Sequence, residues 1–358
     1  MNNSFKIKIL VLAILTLGVG WLALDRFYFG QRKLPKGDSV PLEEFIEQNN
    51  KNAGGGSDAQ NTLRNGSDFQ TSRQIFVTDG VKHSVPLDEI LSGGPSKDGI
   101  PSIDNPKFIS PNEVDYLTDE DVGQGLCNGD DCRFYPYQIL VWHEIVNDTV
   151  GGKPALVTYC PLCFTGIVFD PVVGGKHFDF GTSGRLWKSN LVMYNRSEGE
   201  DNESLWSQVL GEAIVGPHTG IKLKIIRSDT VKYGDWKKLH PDTRVLSRDT
   251  GHFRTYGRDP YGDYYTSSQV GFGADFNDDQ LHPKAYVVGI EINGQFKAYN
   301  VESLKVGTTN DSFANKEIII TKSGKDEISI IANSDELPFI GGFWFSWLVA
   351  HPKTELFQ

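Results

Sequence analysis

The segment His143–Phe180, HEIVNDTVGGKPALVTYCPLCFTGIVFDPVVGGKHFDF, decides how the chain is read. Strand-forming residues flank Gly151–Gly152 and again flank Gly174–Gly175, and a diglycine between two such runs signals a tight hairpin turn. Two hairpins are expected, HEIVNDTVGGKPALVTY and GIVFDPVVGGKHFDF. Between them sit Cys160 and Cys163, in a chain that holds four cysteines in all.

Working outward, further strand-forming runs lie at Lys222–Ile226, Tyr286–Ile292, Glu317–Thr321 and Ile328–Ala332, while helical segments such as Pro86–Ser92 (PLDEILS) are few and short. The expected fold is α+β, mainly antiparallel sheet. A weak internal duplication is also expected. NDTVGGKPALVT from Asn147 shares the frame N-D-[ST]-x3-K-x4-T with NDSFANKEIIIT from Asn310, and WKKLHPDTRVL from Trp236 shares W-x3-H-P-x-T with WLVAHPKTELF from Trp347. The copies run over roughly 133–248 and 296–358. Where the first continues past Thr158 into Tyr-Cys-Pro-Leu-Cys, the second continues past Thr321 into Lys-Ser-Gly, and nothing aligned with His143 is a histidine. The cysteines and His143 are therefore read as functional, and His240 and His351, present in both copies, as structural.

The N-terminus carries an uncharged apolar run, Ile9–Leu24, preceded by Lys6 and Lys8 and followed by Phe27, Tyr28 and Phe29. It lacks a small-x-small cleavage site and is read as a single-pass membrane anchor over residues 1–29, with the main domain extracytoplasmic. Residues 30–72, rich in Asn, Gln, Gly and Ser, read as a flexible tether. The domain itself spans 73–358. A net charge of -11, with no basic patch, excludes an electrostatic footprint for nucleic acid. The nucleotide-binding glycine loops, the nucleophile elbow and H-E-x-x-H are also missing, which sets aside kinases, nucleotide-dependent dehydrogenases, α/β-hydrolases and zincins.

The segments SGGPSKDGIPSIDNPKF, WHEIVNDTVGGKPALVTYCPLC, SGRLWKSNLVMYNR, SLWSQVLGEAIVGP, YGRDPYGDY and GGFWFSWLVAHPKTELF together resemble a family of exported prokaryotic proteins catalogued as domain of unknown function 3179, whose hallmark is CPLC. The resemblance covers Val77 to the C-terminus. It implies location and the importance of CPLC, and it implies no activity. Cys127 and Cys132 lie outside the family pattern, and in an oxidising compartment their short loop favours a structural disulfide.

Three chemistries compete for Cys160 and Cys163. A redox pair of thioredoxin type places its first cysteine at a helix N-terminus, whereas CPLC runs into a strand-like segment. A closed zinc site would need all four cysteines. The favoured reading is copper, because the hairpin sets His143 opposite Tyr159 or Cys160, and Met193, the chain's one methionine beyond the initiator, adds a thioether. That makes a copper-handling protein or copper-dependent oxidoreductase, served by a redox or copper-donor partner. A thiol-disulfide protein and a metal-free binding module are the alternatives. Arg185, Trp187, Trp206, Arg258, Asp259 and Tyr261 are read as lining a pocket for a small molecule of unknown identity.

Overall fold

The first diglycine turn forms as read. In the computed structural model, which describes residues 73–197, 199, 202–323 and 327–357, Gly151 and Gly152 adopt φ of 53° and 76°. These left-handed values match the right-handed twist of the flanking strands and carry no penalty without a Cβ. The turn joins strands Ile145–Val150 and Lys153–Cys160 in antiparallel register, Val150 facing Lys153 and Ile145 facing Thr158. The second hairpin is shorter than expected. Pro171 has no N–H for a ladder, and only Val172–Val173 and Lys176–His177 pair around Gly174–Gly175. The preceding run, Thr165–Asp170, pairs instead with Lys153–Cys160. Likewise Pro86–Ser92 holds a single 3-10 turn, Leu87–Glu89, before entering strand Ile90–Ser92.

The described residues form mostly antiparallel sheet with few short helices. A seven-stranded sheet runs in the order Phe76–Thr78, Val81–His83, Glu212–Val215, Leu205–Ser207, Asn190–Asn195, Phe180–Trp187 and Ile90–Ser92. The CPLC strands form a four-stranded sheet closed by Lys224–Ile226. Among the described residues no helix is long and apolar enough to cross a membrane. The anchor and tether expected over residues 1–72 lie outside the described residues.

One structural corner occurs twice. In the first half, the hairpin Val122–Asn128 and Asp131–Pro136 is flanked by Asp229–Lys232, which leads into helix Tyr233–Leu239 and then strand Arg244–Leu246, parallel to Asp131–Pro136. In the second half, Tyr286–Ile292 and Gln295–Asn300 are flanked by Ile340–Phe343, which leads into helix Trp344–Ala350 and then strand Glu355–Phe357, parallel to Gln295–Asn300. Trp236 stacks near His240 at 4.1 Å and donates its indole N–H to Thr243, and Trp347 treats His351 (4.3 Å) and Thr354 in the same way. Each indole lies so close to a glycine, Gly125 or Gly289, that a Cβ there would sit 2.4 Å from ring atoms. Arg133 and Tyr135 both bind Asp148, as Lys297 and Tyr299 both bind Asp311. Where Phe296 stacks on His351 at 4.0 Å, the first half puts the disulfide Cys127–Cys132 against His240 Nδ1, at 3.7 and 3.4 Å.

Candidate functional site

Strand Lys153–Cys160 ends because Pro161 cannot donate to a ladder. The chain makes a 3-10 turn over Pro161–Cys163, reverses at Phe164 (φ 49°) and returns as Thr165–Asp170, with Cys160 facing Thr165. This compact loop brings the two thiols together. Both are free, with Cys160 2% and Cys163 0% exposed. Their sulfurs lie 3.9 and 3.4 Å from the carbonyl oxygen of Ser189, the last residue of the turn between Phe180–Trp187 and Asn190–Asn195. Gln208 ties that turn to the loop by accepting from Asn190 Nδ2 and donating to Thr158 Oγ1 and the Thr165 carbonyl.

The second half closes the site. Gly342 abuts Thr165 and the Cys163 carbonyl so tightly that a Cβ would lie 2.4 Å from Thr165 Oγ1. Phe343 and Phe345 share one core cluster with both cysteines. Lys284, 7% exposed, donates to the Gln269 carbonyl and holds its ammonium 3.8 Å from the centre of the Tyr264 ring and 4.8 Å from that of Phe345. The connection between the two halves, from Ser247 to Pro283, has one 3-10 turn and no strand. It crosses the site as a strap: Tyr264 donates its phenol proton to the Leu162 carbonyl and the Phe272 carbonyl accepts from Ser189 N.

Four ionisable groups meet here. Burial pushes the Cys160 thiol well above its ordinary value, helped by its hydrogen bond to Cys163, Cys163's charge and that of Glu144. Burial also pushes Cys163 up, but hydrogen bonds from Cys160, Ser346 and Asn190 and the charge of Lys284 outweigh it, and Cys163 falls below the ordinary thiol range. Glu144 is held up at about 8 by burial and then by Cys163's charge. Lys284 is brought down to about 8 by burial, with Cys163's charge opposing. Neither Glu144 nor Lys284 has an ion pair of opposite charge among the described residues.

The other residues singled out in the sequence are placed as follows. His143 does not reach the sulfurs. Its register does continue to Cys160, but the strand starts only at Ile145, and Glu144 in a left-handed conformation (φ 59°) turns the chain. The His143 Nδ1–H donates to the Pro101 carbonyl at 2.7 Å and Nε2 accepts from the Tyr256 phenol at 2.6 Å, so both ring nitrogens are occupied. Burial, followed by the charges of His252 and Arg254 against the pull of the Pro101 carbonyl, lowers it to about 4 and keeps it neutral. Met193 is fully buried in the cluster that contains both cysteines, opposite Thr182 and Trp206. Trp187 and Trp206 are core residues whose indoles donate to Glu89 and Asn195. Arg185 borders a separate open cleft with Lys97, Tyr194 and Glu203. Arg258 is exposed, Asp259 accepts from the backbone N–H of Tyr261, and Tyr261 packs beside Tyr264 and Tyr265 in the strap. Among the described residues, the group of three histidine, cysteine or acidic side chains within 4.8 Å of one another is Cys127, Cys132 and His240, and there the two sulfurs are already joined. Glu144, Lys284, Ser189 and Ser346 were not singled out. Glu144 had a signal, a lone acid inside the apolar run WHEIV; the others lie far along the chain from CPLC and had none.

A family model described as a protein of unknown function, DUF3179, matches residues 97–336. No curated protein and no solved structure matches the chain.

Proposed function

The chain belongs to the DUF3179 family of proteins of unknown function, and from that premise we propose that it is a thiol redox protein whose working groups are Cys163 and Cys160. The observation that carries this reading is the free, mutually hydrogen-bonded thiol pair walled in with a lysine that has no other counter-charge among the described residues, while the neighbouring Glu144, a like charge to a thiolate, is held up at about 8. A buried ammonium without a partner is costly, and a Cys163 thiolate supplies the missing anion. Cys163 is then the nucleophile and Cys160, which retains its proton, the resolving thiol. Both end states are compatible with an apolar site: a thiolate beside Lys284 is compensated, and once the neutral disulfide has formed Lys284, brought down to about 8 by burial, can release its proton.

The location of the site supports the same reading. We infer that the two halves are copies, on the strength of the repeated tryptophan corner and the repeated Asp148 and Asp311 pairings. The CPLC loop is then what distinguishes the first copy, because Cys160 aligns with Ser323. We further infer that the N-terminal run anchors the domain outside the cytoplasm, where a dithiol needs a reducing partner.

Copper remains the competing reading, now with two sulfurs and without His143. Anaerobic titration distinguishes the two. The reduced full chain, equilibrated against mixtures of reduced and oxidised dithiol, should form a Cys160–Cys163 disulfide reversibly, and single serine variants should not. A pair that stays reduced throughout, but takes up one equivalent of Cu(I) that the double-serine variant does not, would sink the redox reading in favour of copper.

A further inference from the structure

Three polar groups around Cys163 are not explained by disulfide formation. Ser346 Oγ, on a residue 2% exposed, has no hydrogen-bond partner except the neighbouring Cys163 sulfur, whose thiolate it stabilises. Ser189 Oγ is fully buried and reaches no acceptor beyond the Tyr264 phenol. The third is the Lys284 ammonium, which finds a single carbonyl and three aromatic rings. Buried hydroxyls without partners are uncommon, because each forfeits the hydrogen bond it had in water. Here each hydroxyl has a single contact, Ser346 with the Cys163 sulfur and Ser189 with the Tyr264 phenol, and beside a lysine with one carbonyl partner this under-used hydrogen-bonding capacity suits a small ligand rich in oxygen.

Size limits that ligand. Exchange with another protein's disulfide requires a sulfur to approach Cys163 in line, whereas both cysteine residues here are at most 2% exposed beneath the strap. A small molecule that breathing of the strap admits can reach where a folded partner cannot.

Resting on the redox reading above, we propose that the oxidant consumed at this site is a hydroperoxide, held by Ser346, Ser189 and Lys284 against Cys163. The Cys163 sulfur forms a bond to one peroxide oxygen, the O–O bond breaks, and the departing alkoxide takes a proton from solvent to leave as an alcohol. Cys163 is now a sulfenic acid. The Cys160 sulfur attacks it, water leaves with the Cys160 proton, and the Cys160–Cys163 disulfide remains. An external small dithiol restores both thiols and is itself oxidised to a cyclic disulfide. Ser189 and Ser346 are donors to the oxygen that is transferred, first in the peroxide and then in the sulfenic acid.

The test uses the reduced full chain and hydrogen peroxide, followed by thiol loss and mass. Cys160→Ser should accumulate a sulfenic acid on Cys163 that dimedone traps, and Cys163→Ser should yield none. Wild type should react with peroxide at least 100-fold faster than free cysteine, with Ser346→Ala roughly 10-fold slower and Ser346→Thr restoring most of the rate. If wild type reacts no faster than free cysteine and no adduct forms, the hydroperoxide assignment is overturned. The redox reading stands in that event if the disulfide still forms against oxidised dithiol, and it falls as well if the disulfide does not.

Discussion

His143 and Tyr256 are joined by a 2.6 Å hydrogen bond in which the phenol donates to the imidazole. Through it a residue at the edge of the CPLC hairpin holds the base of the strap, and Thr250 reinforces the hold by hydrogen bonding to the same phenol. His143→Ala should therefore loosen the cover. Alkylation of Cys160 and Cys163 should be roughly five- to tenfold faster, the factor set by losing one hydrogen bond of about 1 to 1.4 kcal/mol. Unchanged labelling in a folded variant would show that the strap is held elsewhere.

Glu144 predicts a pH dependence of stability. Its carboxyl is raised by burial to about 8 in the folded chain and returns to the ordinary carboxylate range on unfolding. A raised folded value means that the folded state binds the extra proton, so its contribution is complete at acid pH and is lost as pH rises toward about 8. Glu144→Gln removes this term. Relative to the variant, wild type should lose up to about 1.4 kcal/mol per pH unit across that window in urea unfolding. Parallel curves for the two proteins would refute it.

The disulfide is expected to stabilise without taking part in chemistry. Cys127 and Cys132, five positions apart, close a small loop, so replacing both with serine should cost about 2 kcal/mol. Thiol reactivity at Cys160 and Cys163 should be preserved. A double variant that keeps its stability but loses that reactivity would reverse these roles.

The two tryptophan corners predict matched sensitivities. Gly125→Ala and Gly289→Ala each drive a methyl to within 2.4 Å of an indole, and overpacking of this kind costs roughly 1 to 3 kcal/mol. Both should lower the thermal midpoint by similar amounts. A clear loss at one and none at the other would argue against equivalent corners.

Local patterns were legible in the sequence where a strand met a turn of known chemistry. Gly151–Gly152 located a hairpin to the residue, and Tyr286–Ile292 was read with its observed bounds. Pro171 was a readable interruption whose effect, moving Thr165–Asp170 onto another partner, depended on strands that no local pattern specifies. At the site, the C-x2-C spacing identified the thiols. His143 was misplaced because pairing was extended past the point where Glu144 leaves extended geometry, a left-handed backbone that glutamate rarely signals. Lys284 and Ser346 reach Cys163 through tertiary packing alone, so their roles cannot be seen from the residues around them.

The match to the family model stops at residue 336, just short of the strand Ile340–Phe343 and the helix carrying Trp344, Ser346 and Trp347. A chain cut there would keep all four cysteines and lose the strand that borders Tyr286–Ile292, the indole that fills the space above Gly289 and the hydroxyl beside Cys163. It would expose an unpaired edge next to an emptied apolar hollow, the usual route to aggregation. Boundaries drawn from shared sequence are thus too short for expression here. An inert product made to those limits would report on the missing tail and not on the thiols.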